Sequence, residues 1–350
     1  MNKPSNKYFA AANSYNGFVS YFAKVFGSKD FDRIYVLKGG PGTGKSSFMK
    51  EIKEEFSHHE CGIDEIYCSS DPNSLDGIII KHKERKIAIL DGTAPHERDA
   101  VIPGAVDEII NLGEGWKKEF LIAQRDKILE IGQEKSNAYS AAYSYLKIAG
   151  AADRFIIDEY KKNFLINEAK TKAETIFAEI PSENEEIIYE QIISSFGRLG
   201  YYFINDISDL CDRKIHIMGN PASAMLFIDI CIESLRHRNA KLFNFPSALN
   251  SNLSDGFIAM TSGLGMIAGG GNDIDADEYV KQKSNLKAMI KSADQIKSDA
   301  LEAATRWFAI ASDMHFRLEE IYSAAMDFQV NNEIIRQKTA EIKKYLEITS

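Results

Sequence analysis

Gly39-Gly40-Pro41-Gly42-Thr43-Gly44-Lys45-Ser46 is the stretch that decides the fold, because it meets every fixed position of the pattern G-x-x-x-x-G-K-[ST]. The residues before it, 33–38, are largely β-branched or apolar and predict a buried strand. The residues after it, 46–56, carry apolar side chains at helical spacing and predict a helix. A strand, a glycine-rich loop and a helix in this order favour anion binding. Glycines let backbone N–H groups turn inward, and a helix N-terminus adds partial positive charge.

The loop predicts a site for a nucleoside triphosphate, with Mg²⁺ as its metal. The Lys45 ammonium would reach the β- and γ-phosphates, and the Ser46 hydroxyl would bind Mg²⁺. The candidate phosphate-binding residues are those of the loop and of the first helical turn: Gly39, Gly40, Pro41, Gly42, Thr43, Gly44, Lys45, Ser46 and Ser47.

A second buried strand ends at Asp91, after four apolar residues, and has the form of a Walker B segment. Its carboxylate is predicted to orient Mg²⁺, directly or through water. The next residue is Gly92, where ATP-hydrolysing enzymes often carry a glutamate, so the attacking water has no obvious base. Asp71, His96 and Glu97 are candidates for that role by position alone. A turn cap or a solvated charge explains each of these three residues equally well.

The composition limits the classes of function. A length of 350 residues favours two domains, and 44% hydrophobic residues allow large cores. A net charge of −9 argues against a broad nucleic-acid surface. The N-terminus is polar, and no apolar run is long enough to span a bilayer, so we expect no membrane partner. The four cysteines are scattered without a C-x-x-C, which predicts reduced thiols, no zinc site and a cytoplasmic location.

Long helical patterns follow the nucleotide-binding segments. One runs over about 116–149 and a second reaches about residue 180, with a predicted break at 150–152, so we expect an antiparallel helical hairpin over about 116–180. The aromatic-rich residues 8–27 predict a helix packed beside the first strand. The alternative for 8–27 is a platform on which bases stack.

The second half of the sequence repeats the first. Gly39 and Pro41 recur as Gly219 and Pro221, and the strand pattern of 34–37 recurs at 214–217. The segment 76–78 also falls on 255–257, with two identities and an apolar third position, and 135–136 is identical to 297–298. Chance identities at drifting spacings are the alternative. The repeat predicts an α/β protein with two P-loop NTPase-like cores at 1–181 and 182–350. Each core would have a mostly parallel sheet and a long helical hairpin, the second hairpin at about 279–348.

The second copy has lost the residues that would bind phosphate and metal. Lys45 is replaced by Met225 and Ser46 by Leu226. Two loop glycines are replaced by alanines at 222 and 224, and Asp91 falls near the glycines 269–271. The sequence therefore predicts one competent nucleotide site, in the N-terminal half, and a pseudo-NTPase C-terminal half.

With these motifs in view, the chain resembles a family of bacterial tandem P-loop ATPases of uncharacterised function. The segments that carry the resemblance are 39–46, 68–77, 87–96 and 103–112. The resemblance implies a P-loop NTPase fold and ATP as the nucleotide, which the absence of an Asn-Lys-x-Asp guanine motif also favours. Both halves commonly carry a P-loop in that family, and this sequence departs from the pattern at 219–226.

Three functions fit the sequence. The leading one is a Mg²⁺-dependent ATPase in which Lys45, the metal and the loop amides stabilise the transferred phosphoryl group. The second is a small-molecule or nucleotide kinase with an acceptor pocket near Asp71, His96 and Arg98. The third is a regulatory scaffold that binds nucleotide without significant turnover, with the helical hairpins contacting a second copy or a protein partner.

Overall fold

The computed structural model describes residues 6–95, 97–204, 207, 210–281 and 284–348. It is an α/β structure with two six-stranded sheets. One compact unit lies within Met1–Ala11, Val19–Ala142 and Arg306–Ser350, and the other within Ala12–Phe18 and Tyr143–Thr305. Among the described residues, no helix combines the length and the apolar character needed to cross a membrane.

The strands and helices are numbered in chain order. The strands are β1 (Lys7–Phe9), β2 (Ala11–Ser14), β3 (Gly17–Ser20), β4 (Arg33–Lys38), β5 (Gly62–Tyr67), β6 (Leu75–His82), β7 (Arg85–Asp91), β8 (Asp107–Asn111), β9 (Ile187–Glu190), β10 (Ser194–Gly197), β11 (Gly200–Phe203), β12 (Arg213–Met218), β13 (Lys241–Pro246), β14 (Ser254–Ala259), β15 (Leu264–Ala268) and β16 (Ile274–Asp275). The helices are α1 (Phe22–Val25), α2 (Lys45–Ser57), α3 (Lys118–Ala123), α4 (Arg125–Asn163), α5 (Ile166–Ile176), α6 (Pro221–Arg236), α7 (Ser284–Ala324) and α8 (Phe328–Tyr345).

The two sheets have the same topology. The first has the order β1-β5-β6-β7-β4-β8, and the second has the corresponding order β9-β13-β14-β15-β12-β16. In the first sheet β6 runs antiparallel to β5 and β7, and the remaining pairs are parallel. In the second sheet β14 is the antiparallel strand. The mostly parallel sheets expected from the sequence are therefore present twice, in agreement with the internal repeat.

Each sheet is covered by the helix that follows its glycine turn and by a helix from the other half of the sequence. In the first unit α2 packs on the sheet, and Ile342 and Leu346 join the same hydrophobic core with no exposed surface. In the second unit α6 packs with Ala169, Ala173 and Phe177. Full burial of one such large aliphatic side chain stabilises a fold by about 2 kcal/mol. The structure thus groups the chain differently from the boundary drawn at 181/182, because α5 and α8 each complete the core of the other half.

The predicted break at 150–152 is wrong. Helix α4 runs without interruption from Arg125 to Asn163. Gly150 is buried within it, and a Cβ at this position would lie 2.6 Å from the Cβ of Tyr15. The small residue serves close packing against Tyr15, so it does not end the helix.

The helix predicted over 8–27 is also wrong. The region forms β1, β2 and β3, and its only helix, α1, covers Phe22–Val25. Phe9, Phe22 and Phe26 are buried in the core. Their rings are covered by protein, which excludes them from stacking on a base.

Candidate functional site

The glycine loop joins β4 to α2 and has the backbone conformation of an anion-binding turn. Gly42 and Gly44 have φ angles of 67° and 85°, and Gly44 is the N-cap of α2. Positive φ angles are accessible to glycine at little cost, and they let successive N–H groups face one concave side. Thr43 is fully buried, and its hydroxyl donates to the carbonyl of Gly40 at 2.8 Å, which fixes the shape of the loop.

Lys45 folds back over the loop. Its Nζ donates to the carbonyl oxygens of Gly39 and Gly40, each at 2.9 Å, and lies 3.6 Å from the Asp91 carboxylate. The Lys45 and Asp91 side chains are only 12% and 15% exposed. The ammonium is thus held by three oxygen neighbours of the protein, in a largely buried position beside the loop.

Asp91 ends β7 and pairs with Leu37 near the end of β4, so the sheet itself brings it to the loop. Its Oδ1 accepts hydrogen bonds from the N–H of Thr93 at 2.8 Å and from the Thr93 hydroxyl at 2.5 Å. Burial raises the pKa of Asp91, while Lys45 and Thr93 act in the opposite direction. The Asp91 carboxylate is thus largely shielded from solvent and has the Lys45 ammonium as its cationic neighbour.

Ser46 lies in the first turn of α2 and contacts the start of β6. Its Oγ accepts the N–H of Leu75 at 3.1 Å. A hydroxyl oxygen that accepts one hydrogen bond keeps a second lone pair for a metal ion. The next residue, Ser47, is exposed.

Of the remaining residues predicted from the sequence, Asp71 and Arg98 make their contacts at different places in the first unit. Asp71 caps the turn before β6, where its Oδ1 accepts the N–H of Asn73 at 3.2 Å. Arg98 pairs with Asp107 at 3.0 Å, and Asp107 lies beside Ile34 at the start of β4, the end of the strand away from the loop. Glu97 is exposed, and His96 lies outside the described residues. The prediction that Arg98 lines an acceptor pocket near the loop is therefore wrong, because its side chain lies at the opposite end of β4.

Helices α7 and α8 provide contacts to the loop that sequence reasoning missed. The Ser323 hydroxyl donates to the carbonyl of Gly42 at 3.0 Å, and the Asn331 side chain donates to the carbonyl of Thr43 at 2.7 Å. A Cβ at Gly42 would lie 2.5 Å from the carbonyl oxygen of Glu319. These partners are almost 300 residues away in sequence, and no local pattern marks them.

Glu319 places a carboxylate against the loop. The backbone of Glu319 packs against Gly42, and its Oε1 lies 3.4 Å from Nε2 of His315. The hydrogen bond to His315, with Lys45 and the Gly42 amide, holds the pKa of Glu319 below its usual range. A carboxylate of α7 therefore lies in the same region as the Lys45 charge.

Aromatic rings cover the outer side of the loop at Gly40. A Cβ at Gly40 would lie 3.3 Å from the ring of Tyr322 and 3.5 Å from that of Trp116. The two ring centroids are 5.9 Å apart. Glycine at this position thus allows the rings to approach the backbone closely.

Lys135 of α4 is a second lysine whose charge interacts with that of Lys45. The side chain is half-buried, and burial together with the charge of Lys45 lowers its pKa. In the part of the chain that the structure describes, Lys135 has no hydrogen bond or ion pair. The spacing of the loop motif gave no sign of this residue.

The corresponding turn in the second unit is filled by a carboxylate. Gly219 has a φ angle of 115°, and the next N–H, of Asn220, donates to both oxygens of Asp277 at 3.2 Å. The Ser223 hydroxyl donates to Asp277 at 2.5 Å. Leu226, which stands where the first copy has Ser46, is buried. The anion-binding position of this turn is thus satisfied internally.

Neither a protein-family model, nor a curated protein, nor a solved structure matches the chain. The candidate site is therefore interpreted from its own geometry. Its components are a glycine loop, a lysine held above it, a hydroxyl, and a buried carboxylate at the end of the neighbouring strand.

Proposed function

We propose that this protein binds Mg-ATP at residues 39–47 and hydrolyses it, with one competent site in the first unit. The observation that carries the proposal is the position of Lys45. Its ammonium is held by two loop carbonyls and lies 3.6 Å from Asp91, at the N-terminus of a helix. This arrangement is suited to a triphosphate and a divalent cation.

Different residues of the site would contact the phosphates and the metal ion. The backbone N–H groups and Lys45 would bind the β- and γ-phosphates and stabilise the charge that develops during transfer. The Ser46 hydroxyl and the Asp91 carboxylate would hold Mg²⁺, which supplies further charge neutralisation when bound. Thr43 and Asn331 would keep the loop in this shape, because their hydrogen bonds fix its carbonyls.

The test compares Lys45→Ala with Lys50→Ala, a matched control on the same helix whose lysine is exposed and donates to Asn73. Titration calorimetry with Mg-ATP and a phosphate-release assay are run on both variants and on the native sequence. We expect Lys45→Ala to abolish phosphate release and weaken binding at least about 100-fold, since charged hydrogen bonds are lost. Equal activity in the two variants would remove the proposal.

A second candidate function is a nucleotide-binding scaffold without significant turnover. The observation that favours it is the contact of Glu319 and Ser323 with Gly42, which couples the state of the loop to α7. Mg-ATP binding without phosphate release in the same assays would support the scaffold. Under either function, we propose that the helical segments contact a second copy or a protein partner.

The family and the location remain proposals as well. We propose that the chain is a member of the tandem P-loop ATPase family that it resembles, in a cytoplasmic setting. The two sheets of identical topology support the tandem arrangement. The internal carboxylate at Asn220 supports a second half without a nucleotide site.

A further inference from the structure

Lys135 lies on the inward face of α4. It is four residues after Ile131 and three before Ala138, and both of these neighbours on the same face are buried. A half-buried ammonium without a counter-charge is costly, since burial removes the water that would solvate it. Within the described residues no side chain offsets this cost at Lys135.

The internal repeat allows Lys135 to be compared with the equivalent lysine of the second unit. Lys135 corresponds to Lys297, which lies between buried Ala293 and Ala300 on α7 in the same way. Lys297 is neutralised by two carboxylates of the second unit, Asp153 at 3.1 Å and Asp294 at 3.4 Å. Asp294 also accepts a hydrogen bond from the Asn220 side chain at 3.2 Å, so Lys297 lies beside the turn of the second unit. The same structural position thus contains an ion-paired lysine in one unit and, among the described residues, a lysine without an ion pair in the other.

Both carboxylates are missing at the equivalent positions of the first unit. Asp294 corresponds to Gly132, and Asp153 corresponds to His315. The carboxylate that fills the turn at Asn220 is missing too. Asp277 follows its capping residue by two positions, and the equivalent residue after the cap of the first unit is Gly113.

We infer that Lys135 is a second phosphate-binding cation of the loop site, and that a phosphate of the bound nucleotide is the counter-ion which Asp153 and Asp294 supply to Lys297. In the second unit, carboxylates of the protein bind the N–H of the turn and the ammonium of Lys297. In the first unit, the loop N–H groups and the Lys135 ammonium are left to bind a ligand. This inference rests on the proposed binding of Mg-ATP. It adds a residue from the helical segment to the phosphate site.

The first experiment restores the missing carboxylate. A side chain at Gly132 meets nothing within 4 Å of its Cβ, so substitution is sterically free. Gly132→Asp should give Lys135 an internal partner, as Asp294 does for Lys297, and weaken Mg-ATP binding at least about fivefold in titration calorimetry. Gly132→Asn is the neutral control and should bind within about twofold of the native protein. Equal affinity in the two variants would overturn the inference.

The second experiment removes the cation. Lys135→Gln should weaken Mg-ATP binding about tenfold or more, while Lys127→Gln, at an exposed position of the same helix, should not. Denaturant unfolding of both variants shows whether either change acts through stability. Acylation of Lys135, followed by mass spectrometry, should be slowed by Mg-ATP.

The outcomes separate the two proposals. If the native protein binds Mg-ATP and Lys135→Gln binds it equally well, the role of Lys135 is wrong and the proposed function stands. If the native protein binds no Mg-ATP, both are wrong.

Discussion

At the scale of single residues, a carboxylate of the protein lies near the loop. The Glu319 carboxylate lies beside His315, and the charge of Lys45 lowers its pKa. A γ-phosphate bound in the same region would be repelled by this carboxylate. The negative charge of Glu319 is therefore expected to oppose nucleotide binding.

Replacing the carboxylate of Glu319 should tighten nucleotide binding. Glu319→Gln keeps the size of the side chain and removes its charge, so we expect the dissociation constant of Mg-ATP to fall about fivefold. Glu320→Gln, at the exposed neighbouring position, is the control. Weaker binding in Glu319→Gln would instead mean that the carboxylate helps to hold the ligand.

A half-buried acid in the second unit should make stability depend on pH. Burial raises the pKa of Asp229 on α6 to about 7, against the opposing effects of Ser254 and Lys161. In the unfolded chain the group ionises near pH 4, so the free energy of unfolding should fall as pH rises from about 4 to about 7 and stay constant above that.

Asp229→Asn should remove this dependence. Because one pKa unit corresponds to about 1.4 kcal/mol, the variant should exceed the native protein in free energy of unfolding by up to about 4 kcal/mol at pH 8. The two proteins should converge near pH 4. The measurement is denaturant unfolding at several pH values, and a difference that does not change with pH would contradict the expectation.

At the scale of elements, α7 lies directly on the loop. The carbonyl of Glu319 and the hydroxyl of Ser323 leave no space for a side chain at Gly42. Contact with a helix therefore adds to the backbone requirement for glycine. Position 42 is not fixed in the pattern G-x-x-x-x-G-K-[ST], and only the fold reveals the contact with α7.

Gly42→Ala should cost more than backbone strain alone. The control is Gly104→Ala, because Gly104 also has a positive φ angle, of 76°, but a Cβ there meets nothing within 4 Å. We expect about 1 kcal/mol of destabilisation for Gly104→Ala and a further 1–3 kcal/mol, roughly, for Gly42→Ala, since α7 must shift. Denaturant unfolding measures both, and equal losses would show that α7 yields without cost.

The sequence predicted elements well where their signals were local. β4, the loop and α2 follow one another within a short stretch, so spacing and composition were enough. The break at 150–152 was wrong because small residues that favour a turn also allow close packing, here against Tyr15. The prediction of a helix over 8–27 was wrong because aromatic side chains at helical spacing also occur in short strands. There the rings reach the core from the strand.

At the scale of the whole molecule, each core depends on a helix from the other half of the sequence. The repeat was readable because it preserves residues at nearly constant spacing. The sequence did not predict that α5 and α8 each pack on the sheet of the other half. An apolar helical face has the same pattern whichever sheet it covers. The contacts of Ser323 and Asn331 with the loop follow from this exchange, so that part of the site was not predictable either.

Residues 1–181, expressed alone, should not form a stable first unit. They lack α8, whose Ile342, together with Leu346 just beyond the helix, is fully buried in the core with α2. Loss of both side chains exposes apolar surface worth about 4 kcal/mol, a large share of the stability of a domain. Circular dichroism and solubility check this, with co-expression of 182–350 as the control that should restore the fold. A soluble fragment 1–181 with a cooperative unfolding transition would contradict the expectation.

The placement of 306–350 in the first unit also has a consequence for synthesis on the ribosome. Residues 306–350 leave the ribosome after the whole of 143–305. The second unit is therefore synthesised completely before the first, although the strands of its sheet come later in the sequence. Domains usually fold in the order in which they emerge, at about 5–20 residues per second. Here the order should be reversed, and the nascent glycine loop must wait for α7 and α8. A ribosome stalled before residue 306 should therefore carry a nascent chain that has not yet acquired protease resistance around the loop.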